Sequence, residues 1–243
     1  MSELETKIKQ LQDILEKSER IVFFGGAGVS TESGIPDFRS EDGLYRRKYR
    51  YNPETILSHT FFMEKTAEFF DFYRDKMAVT DVLPNVTHRF LAKLEEAGKL
   101  TGVITQNIDG LHQAGGSKKV IELHGSIHRN YCMKCHQFYP ISAVTDTTDI
   151  PRCSCGGIIK PDVVLYEESL KEEDINTALS LISHADTLIV AGTSLSVYPA
   201  ASFLRYFAGE HLVLINKSAT AYDANADLLI QAGLGEIFSK LTV

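Results

Sequence analysis

The pattern of apolar and polar positions divides the chain into short buried runs separated by amphipathic stretches. In the opening segment Leu4, Ile8, Leu11 and Leu15 recur on one helical face, and Ser2 with Glu5 makes a capping box, so a helix is predicted there. The runs IVFFG (21–25), TGVIT (101–105), TLIVA (187–191) and HLVLI (211–215) show no polar alternation and read as parallel strands buried on both faces. Helical patterns lie between them. One runs over residues 85–97, from an Asn85 cap to Gly98; another follows Ser169, which with Glu172 makes a second capping box ahead of Ile175, Leu179 and Ile182. Strand and helix in alternation predict an α/β fold with a doubly wound, Rossmann-like parallel sheet.

Two segments break the alternation. Residues 41–84 are polar and then helical and aromatic (FFMEKTAEFFDFY), and residues 126–160 hold every cysteine. They are assigned to a smaller inserted module, helical in its first part, which leaves 1–40, 85–125 and 161–243 for the larger domain.

Composition narrows the function classes. At 243 residues and 44% hydrophobic content the chain can bury a sizeable core. No apolar run reaches the length of a membrane span, and the start MSELETKIKQ is charged where a signal peptide is apolar, so a cytoplasmic protein is expected. A formal net charge of -7 argues against an electrostatic grip on nucleic acid or anionic lipid, and suits basic peptides. The basic, aromatic run YRRKYRY (45–51) reads as a lid beside phosphates rather than a nucleic-acid contact. Cys132-x-x-Cys135 and Cys153-x-Cys155, separated by 17 residues and backed by Gly156 and Gly157, have the spacing of a zinc ribbon. Four thiolates leave no open position on the metal, so the zinc is structural; because the second pair is one residue short, His128 and His136 stand as alternative ligands.

The loop after the first strand, GAGVS (26–30), supplies the small residues and backbone amides that a pyrophosphate needs. The same pattern also serves an ordinary strand-to-helix turn. A dehydrogenase fingerprint would place a third glycine at Thr31 and an acid ending a second strand about 20 residues on. GLYRRKYRYN stands there instead, which argues against hydride transfer. Asn216, at the end of HLVLIN, is placed to hold the adenosine ribose, and TQNID (105–109) and GTS (192–194) end two further strands. Four polar strand ends would line one crevice. Among eight histidines, His124 follows the apolar run VIEL and precedes Gly125, which suits a base at the crevice mouth, with His112 as its competitor.

With GAGVS, GIPDFR (34–39), TQNIDGLH (105–112), ELHG (122–125), the cysteine pairs, GTSLSVYPA (192–200) and Asn216, nearly the whole chain resembles the sirtuins, NAD-dependent protein lysine deacylases, and most closely their bacterial members. The resemblance implies that Ala27, Gly28, Thr31 and Arg39 contact the NAD phosphates and neighbouring ribose, and that Phe38 shields the reactive face. Gln106 and Asn107 would hold the nicotinamide ribose and an ordered water, Asn107 thereby belonging to the catalytic set. Ile108 and Asp109 would bind the carboxamide, and Thr193, Ser194 and Asn216 the adenosine half; Gly26, Gly192 and Lys217 complete the cofactor-binding set. By the same resemblance NAD would be consumed: the acyl oxygen of an acetylated lysine would attack the ribose C1', nicotinamide would leave, and His124 would deprotonate the ribose hydroxyl pair, giving free lysine and O-acetyl-ADP-ribose. The substrate peptide would add as a strand to residues 163–166, with Val163, Val164, Leu165 and Tyr166 as its contacts. The family usually reads Phe-Gly-Glu where this chain has Tyr166, Glu167 and Glu168. Succinyl-preferring relatives carry Tyr-x-x-Arg where this chain has Tyr73 and Lys76, so acetyl and uncharged acyl groups are expected. No nucleic acid or membrane partner is expected, and the protein is expected to be a monomer.

Overall fold

The computed structural model describes residues 2–37 and 50–243. Along the chain, α1 (Glu3–Lys17) leads into β1 (Ile21–Gly25), followed by the short helices α2 (Pro53–Ile56), α3 (His59–Glu64) and α4 (Thr66–Phe72), then α5 (Val86–Glu96), β2 (Leu100–Thr105), α6 (Leu111–Ala114) and β3 (Val120–Glu122). The second half holds β4 (Gly125–Cys132), β5 (Phe138–Tyr139), α7 (Ser142–Thr145), β6 (Ile159–Val163), α8 (Glu172–His184), β7 (Thr187–Ala191), β8 (His211–Ile215), β9 (Leu228–Ile230) and α9 (Leu234–Phe238).

The continuous apolar runs become the centre of a parallel sheet ordered β3-β2-β1-β7-β8-β9. Every residue of β1 and β7 is buried, because helices cover both faces. On one face Leu11 and Leu15 of α1, Leu91 and Leu94 of α5 and Ile237 of α9 pack together; on the other, Ala178 and Ile182 of α8 meet Phe203 and Leu204. The strand order reverses between β1 and β7, the position at which doubly wound sheets open a crevice for ligands.

Local signals set most helix ends. Ser2 Oγ accepts from Glu5 N and Glu5 Oε2 accepts from Ser2 N, closing the predicted capping box on α1. At its other end Lys99 Nζ donates to the carbonyls of Leu15, Glu16 and Ser18 at 2.7 to 3.3 Å, neutralising the orphan acceptors of the last turn. The Ser169 capping box does not form. α8 begins at Glu172 with Lys171 at its N-cap, too late for Ser169 to cap it, and an ammonium has no acceptor to offer the first-turn N–H groups; Lys171 Nζ binds both carboxylate oxygens of Asp162 at 2.9 and 3.0 Å.

The smaller module has its own aromatic core, in which Phe61, Phe62, Phe69, Phe70 and Tyr73 pack with Ile127, Val163 and Leu165. Its antiparallel sheet runs β5-β4-β6 and begins with Gly125 opposite Val163, so β4 and β6 extend across the lines at 125 and 160 expected from the sequence. Ladder pairing continues as far as the register permits, whereas the cysteine clustering that suggested those lines marks only the far end of the strands.

Two histidines lie wholly inside the larger domain. His88 accepts the Asn85 backbone N–H on Nδ1, closing a capping box on α5, and its ring meets that of His112 at 4.7 Å. Burial pushes His88 down to about 4, with Arg89 adding to the effect, and pushes His112 down to about 3, with His88 adding to it. Protonating His88 on Nδ1 would also break the box. Because both folded pKa values lie below the unfolded value of 6.5, stability is fully present above pH 6.5 and falls as the pH drops toward 4, as the unfolded chain alone takes up protons. The expected loss across that window is on the order of a few kcal/mol. Thermal unfolding measured from pH 7.5 to 4.5 checks this; a flat profile for the parent, or an unchanged slope in His88→Gln/His112→Asn, contradicts it.

Candidate active site

Four strand ends meet at the switch point, and backbone contacts draw their loops together. Gly28 N donates to Gly192 O at 2.8 Å, and a Cβ on Gly28 would stand 2.7 Å from Gly192 Cα. Gly192, at φ +60°, is equally closed in, with Val29 N 2.6 Å from where a Cβ would be. These glycines are therefore required first by loop-on-loop packing, a reason that adds to the close approach of a phosphate read from the sequence.

Polar side chains join the loops into one network. Asn107 Nδ2 donates to Ser30 Oγ at 3.0 Å, and Ser30 Oγ donates to Asp109 Oδ2 at 2.7 Å. Gln106 Nε2 donates to Thr193 Oγ1 at 3.1 Å, and Thr193 N donates to Asn216 Oδ1 at 2.9 Å. Asn216 Nδ2 is buried with no partner, an amide donor left over at the carboxyl end of β8. Burial raises the Asp109 carboxyl above its ordinary range, opposed by hydrogen bonds from Leu111 N and Ser30 Oγ. The structure thus brings Gly26, Gly28, Gln106, Asn107, Asp109, Gly192, Thr193 and Asn216 to one edge. Ala27 and Thr31 occupy the turns after β1, Ile108 packs on the small-module core, and Ser194 bonds Ser196. Lys217 follows Asn216. Phe38, Arg39 and residues 45–49 lie outside the described residues.

His124 belongs to the crossing from β3 to β4. Its Nδ1 lies 2.9 Å from Gln106 O, and a carbonyl can only accept, so Nδ1 carries the proton and Nε2 the lone pair. Burial lowers its pKa, partly offset by the Gln106 carbonyl, so the ring is neutral at pH 7. His112, the rival base, is 1% exposed with neither ring nitrogen partnered, and no substrate can reach it. Sequence reasoning assigned no role to Ser30 although it stands inside GAGVS; its partners lie 77 and 79 residues away, beyond any spacing signal.

The stretch after β6 is latched to α2 and α3. Tyr166 N donates to Leu57 O, His59 N donates to Tyr166 O, and Val164 N donates to His124 O. Glu167 adopts φ +74°, so the left-handed conformation usually given to glycine is kept without one. Its carboxylate accepts from Thr60 N and Thr60 Oγ1 at 2.9 and 2.7 Å, which holds the strained residue in place.

Cys132, Cys135, Cys153 and Cys155 place their sulfurs within 4.8 Å of one another. The Cys132–Cys155, Cys135–Cys153 and Cys135–Cys155 separations are 3.4, 3.5 and 3.5 Å, close to the roughly 3.8 Å edge of a tetrahedral zinc–thiolate site. The donor set fits one structural zinc, and the short Cys-x-Cys pair is accommodated. Tyr139 adds an O–H donor to Cys153 Sγ at 3.1 Å. Neither alternative ligand is needed, and His128 Nε2 is engaged with Asp109 O at 3.0 Å.

The family model described as the Sir2 family matches residues 26–199. An NAD-dependent protein deacetylase of Clostridium acetobutylicum is 60% identical over 239 residues, covering 97% of this chain and 98% of the relative. Another, of Cutibacterium acnes, is 56% identical over 96% of each chain. Among solved structures, a Sir2 protein with a deacetylated p53 peptide and 3'-O-acetyl ADP-ribose superposes with TM-score 0.88 at 38% identity, covering 96% of each chain. A Sir2–p53 peptide–NAD+ complex gives 0.85 at 37%, again over 96% of each chain. This chain belongs to the Sir2 family, the sirtuins.

Proposed function

We propose that the chain is an NAD-dependent protein lysine deacetylase in which His124 is the general base. The observation that carries the assignment of the base is the His124 Nδ1–Gln106 carbonyl bond, which leaves Nε2 as the proton acceptor. The residues present fit NAD: a glycine-lined loop at the switch point, an unpartnered amide on Asn216, and the Ser30–Asn107–Asp109 network between them. Gly26, Ala27, Gly28, Thr31 and Arg39 would hold the phosphates and neighbouring ribose, with Phe38 shielding the reactive face. Gly192, Thr193, Ser194, Asn216 and Lys217 would hold the adenosine half. Gln106 and Asn107 would take the nicotinamide ribose, and Ile108 and Asp109 the carboxamide. NAD supplies a ribose whose nicotinamide is exchanged for the acyl oxygen of the modified lysine and whose 2'-hydroxyl carries the acyl group away.

The protein's part is orientation and proton transfer. His124 Nε2 takes the proton of the ribose hydroxyl, and Nδ1–H on Gln106 O keeps the ring from turning as Nε2 becomes charged. Low local polarity favours the neutral ring before transfer. The peptide would lie against Val163, Val164, Leu165 and Tyr166; because Val164 N and both Tyr166 backbone groups are already bonded, the Val164 carbonyl is the group an added strand would engage. Domain assignment follows the same division of labour: residues 1–40, 85–125 and 161–243 bind NAD and carry the 163–166 stretch, and 41–84 with 126–160 form the small module on the other side of the cleft that takes the peptide. No helix among the described residues is long and apolar enough to cross a membrane. Four paired, unbridged cysteines suit a reducing compartment, and we place the protein in the cytoplasm as a monomer acting on acetylated, basic peptides rather than on nucleic acid.

Nicotinamide release from NAD, measured with and without an acetyl-lysine peptide, tests the reading: peptide-dependent release with free lysine appearing is expected, and NAD binding without release would overturn it. Acyl preference gives a further prediction. Tyr73 is fully buried and Lys76, an ammonium where a guanidinium fork would be needed, is paired with Asp75 at 2.8 Å, so these two positions offer no bidentate partner to a second carboxylate. Acetyl peptide should exceed succinyl peptide in kcat/KM by at least about tenfold; equal rates would contradict it.

A further inference from the structure

The crossing that carries His124 is pinned at each of its residues. Leu123 N donates to Thr105 O, His124 O accepts from Val164 N, and Gly125, at φ +78°, faces Val163, where a Cβ would collide with Asp162 O. Glu122, the first residue of the crossing, is 8% exposed, and its carboxylate binds Arg129 Nη1. Arg129 stands on β4, and its Nε donates to Asp162 Oδ2 on β6 at 2.9 Å. One guanidinium thus grips the end of a large-domain strand and the strand next to the substrate stretch, while Lys171 at the start of α8 holds the other side of Asp162. Asp174, on the first turn of α8, lies close enough to Arg129 to interact electrostatically.

We propose that Arg129 is a positioning residue of the deacetylation step, acting through the Glu122–Gly125 crossing to hold His124 where it can reach the ribose hydroxyl. A single strand-end carboxylate can be satisfied by any cation. Here the geometry asks for more: two carboxylates on separate elements, each met by a different nitrogen, Nε and Nη1, of one rigid plane, a task a single-point ammonium does not reproduce at both ends. Without the fork the crossing keeps its backbone bonds but loses the side-chain tie that links it to β4 and β6. A base displaced by about 1 Å can lose on the order of a hundredfold in rate.

The inference rests on His124 as the base, and that supplies a readout a merely structural role would not move. Nicotinamide leaves before the base is needed, so peptide-dependent exchange of labelled nicotinamide into NAD reports everything except the His124 step. Exchange and deacetylation would be measured side by side for the parent, Arg129→Gln and Arg129→Lys, with thermal unfolding of each. We expect deacetylation in Arg129→Gln to fall by about tenfold or more while exchange stays within about twofold of the parent, with Arg129→Lys in between. Equal loss of both activities, or loss of neither, overturns the proposal. Should Arg129→Gln fail to fold, Arg129→Lys decides by the same comparison. A parent lacking exchange and deacetylation alike would instead overturn the functional reading itself.

Discussion

His124→Ala should lose deacetylation by about a hundred- to ten-thousandfold while still exchanging labelled nicotinamide into NAD in the presence of an acetyl-lysine peptide. That range corresponds to about 3 to 5 kcal/mol of lost transition-state stabilisation, the contribution usual for one well-placed proton acceptor. The separation of the two activities follows from the site: Ser30, Asn107 and Asp109 form the network assigned to the nicotinamide end, and none of its bonds involves the imidazole. A variant retaining deacetylation within about tenfold of the parent would remove His124 from the role of base. The pH profile offers an independent check. Burial lowers the imidazole below its ordinary 6.5, so the protonated, inactive form should appear at lower pH than for a free imidazole, and the half-maximal point of kcat/KM on the acid side should lie below pH 6.5. A half-maximal rate above that value would contradict the buried environment.

Removal of the metal should have the second largest effect, and it should act on the fold rather than on the chemistry. The four sulfurs join the β4 end, through Cys132 and Cys135, to the loop before β6, through Cys153 and Cys155; only a small apolar cluster of Ile159, Tyr139 and Ala143 packs with them. So small a cluster cannot hold four thiolates together against their mutual repulsion. The parent should contain one zinc per chain. Chelation, or Cys153→Ser, should lower the melting temperature by about 10 °C or more and abolish deacetylation, and re-added zinc should restore the chelated parent but not the variant. Cys135 and Cys155 are exposed, so a chelator has access. An unchanged melting temperature on complete zinc removal would show that the cysteine module stands without metal. The loss should reach activity through β4 and β6, since both strands run between the cysteine end, at Cys132 and Ile159, and the end beside His124, at Gly125 and Val163.

The limits of legibility are clearest in the strands. β1, β2, β7 and β8 are continuous apolar runs of five or six residues, and each was visible as such. β3 and β9 are three residues long, too short for any periodicity to separate them from loop, and they exist because a parallel sheet offers them a partner edge. The Asn85 cap and the Ser2–Glu5 box are exchanges within four residues, so local chemistry was sufficient to define them. The Ser169–Glu172 pattern had the same local form and made no box, because α8 begins at Glu172, too late for Ser169 to stand at its N-cap.

The amino-acid sequence by itself determined the four central strands, the capped helices α1 and α5, the glycine loop and the cysteine set, since each depends on hydrophobic period, backbone freedom or metal-ligand spacing within a short stretch. The tertiary structure alone decided that Ser30 links Asn107 to Asp109, that His124 offers Nε2 rather than Nδ1, that His112 is sealed in the core, and that Arg129 ties Glu122 to Asp162. The contacts that decided the crevice and the sealing of His112 join residues tens of positions apart, and those of His124 and Arg129 depend on how the crossing folds back onto β4 and β6. A hydrogen bond or ion pair of that kind leaves no period in the chain and comes into being only when packing has removed the water that would otherwise compete for it.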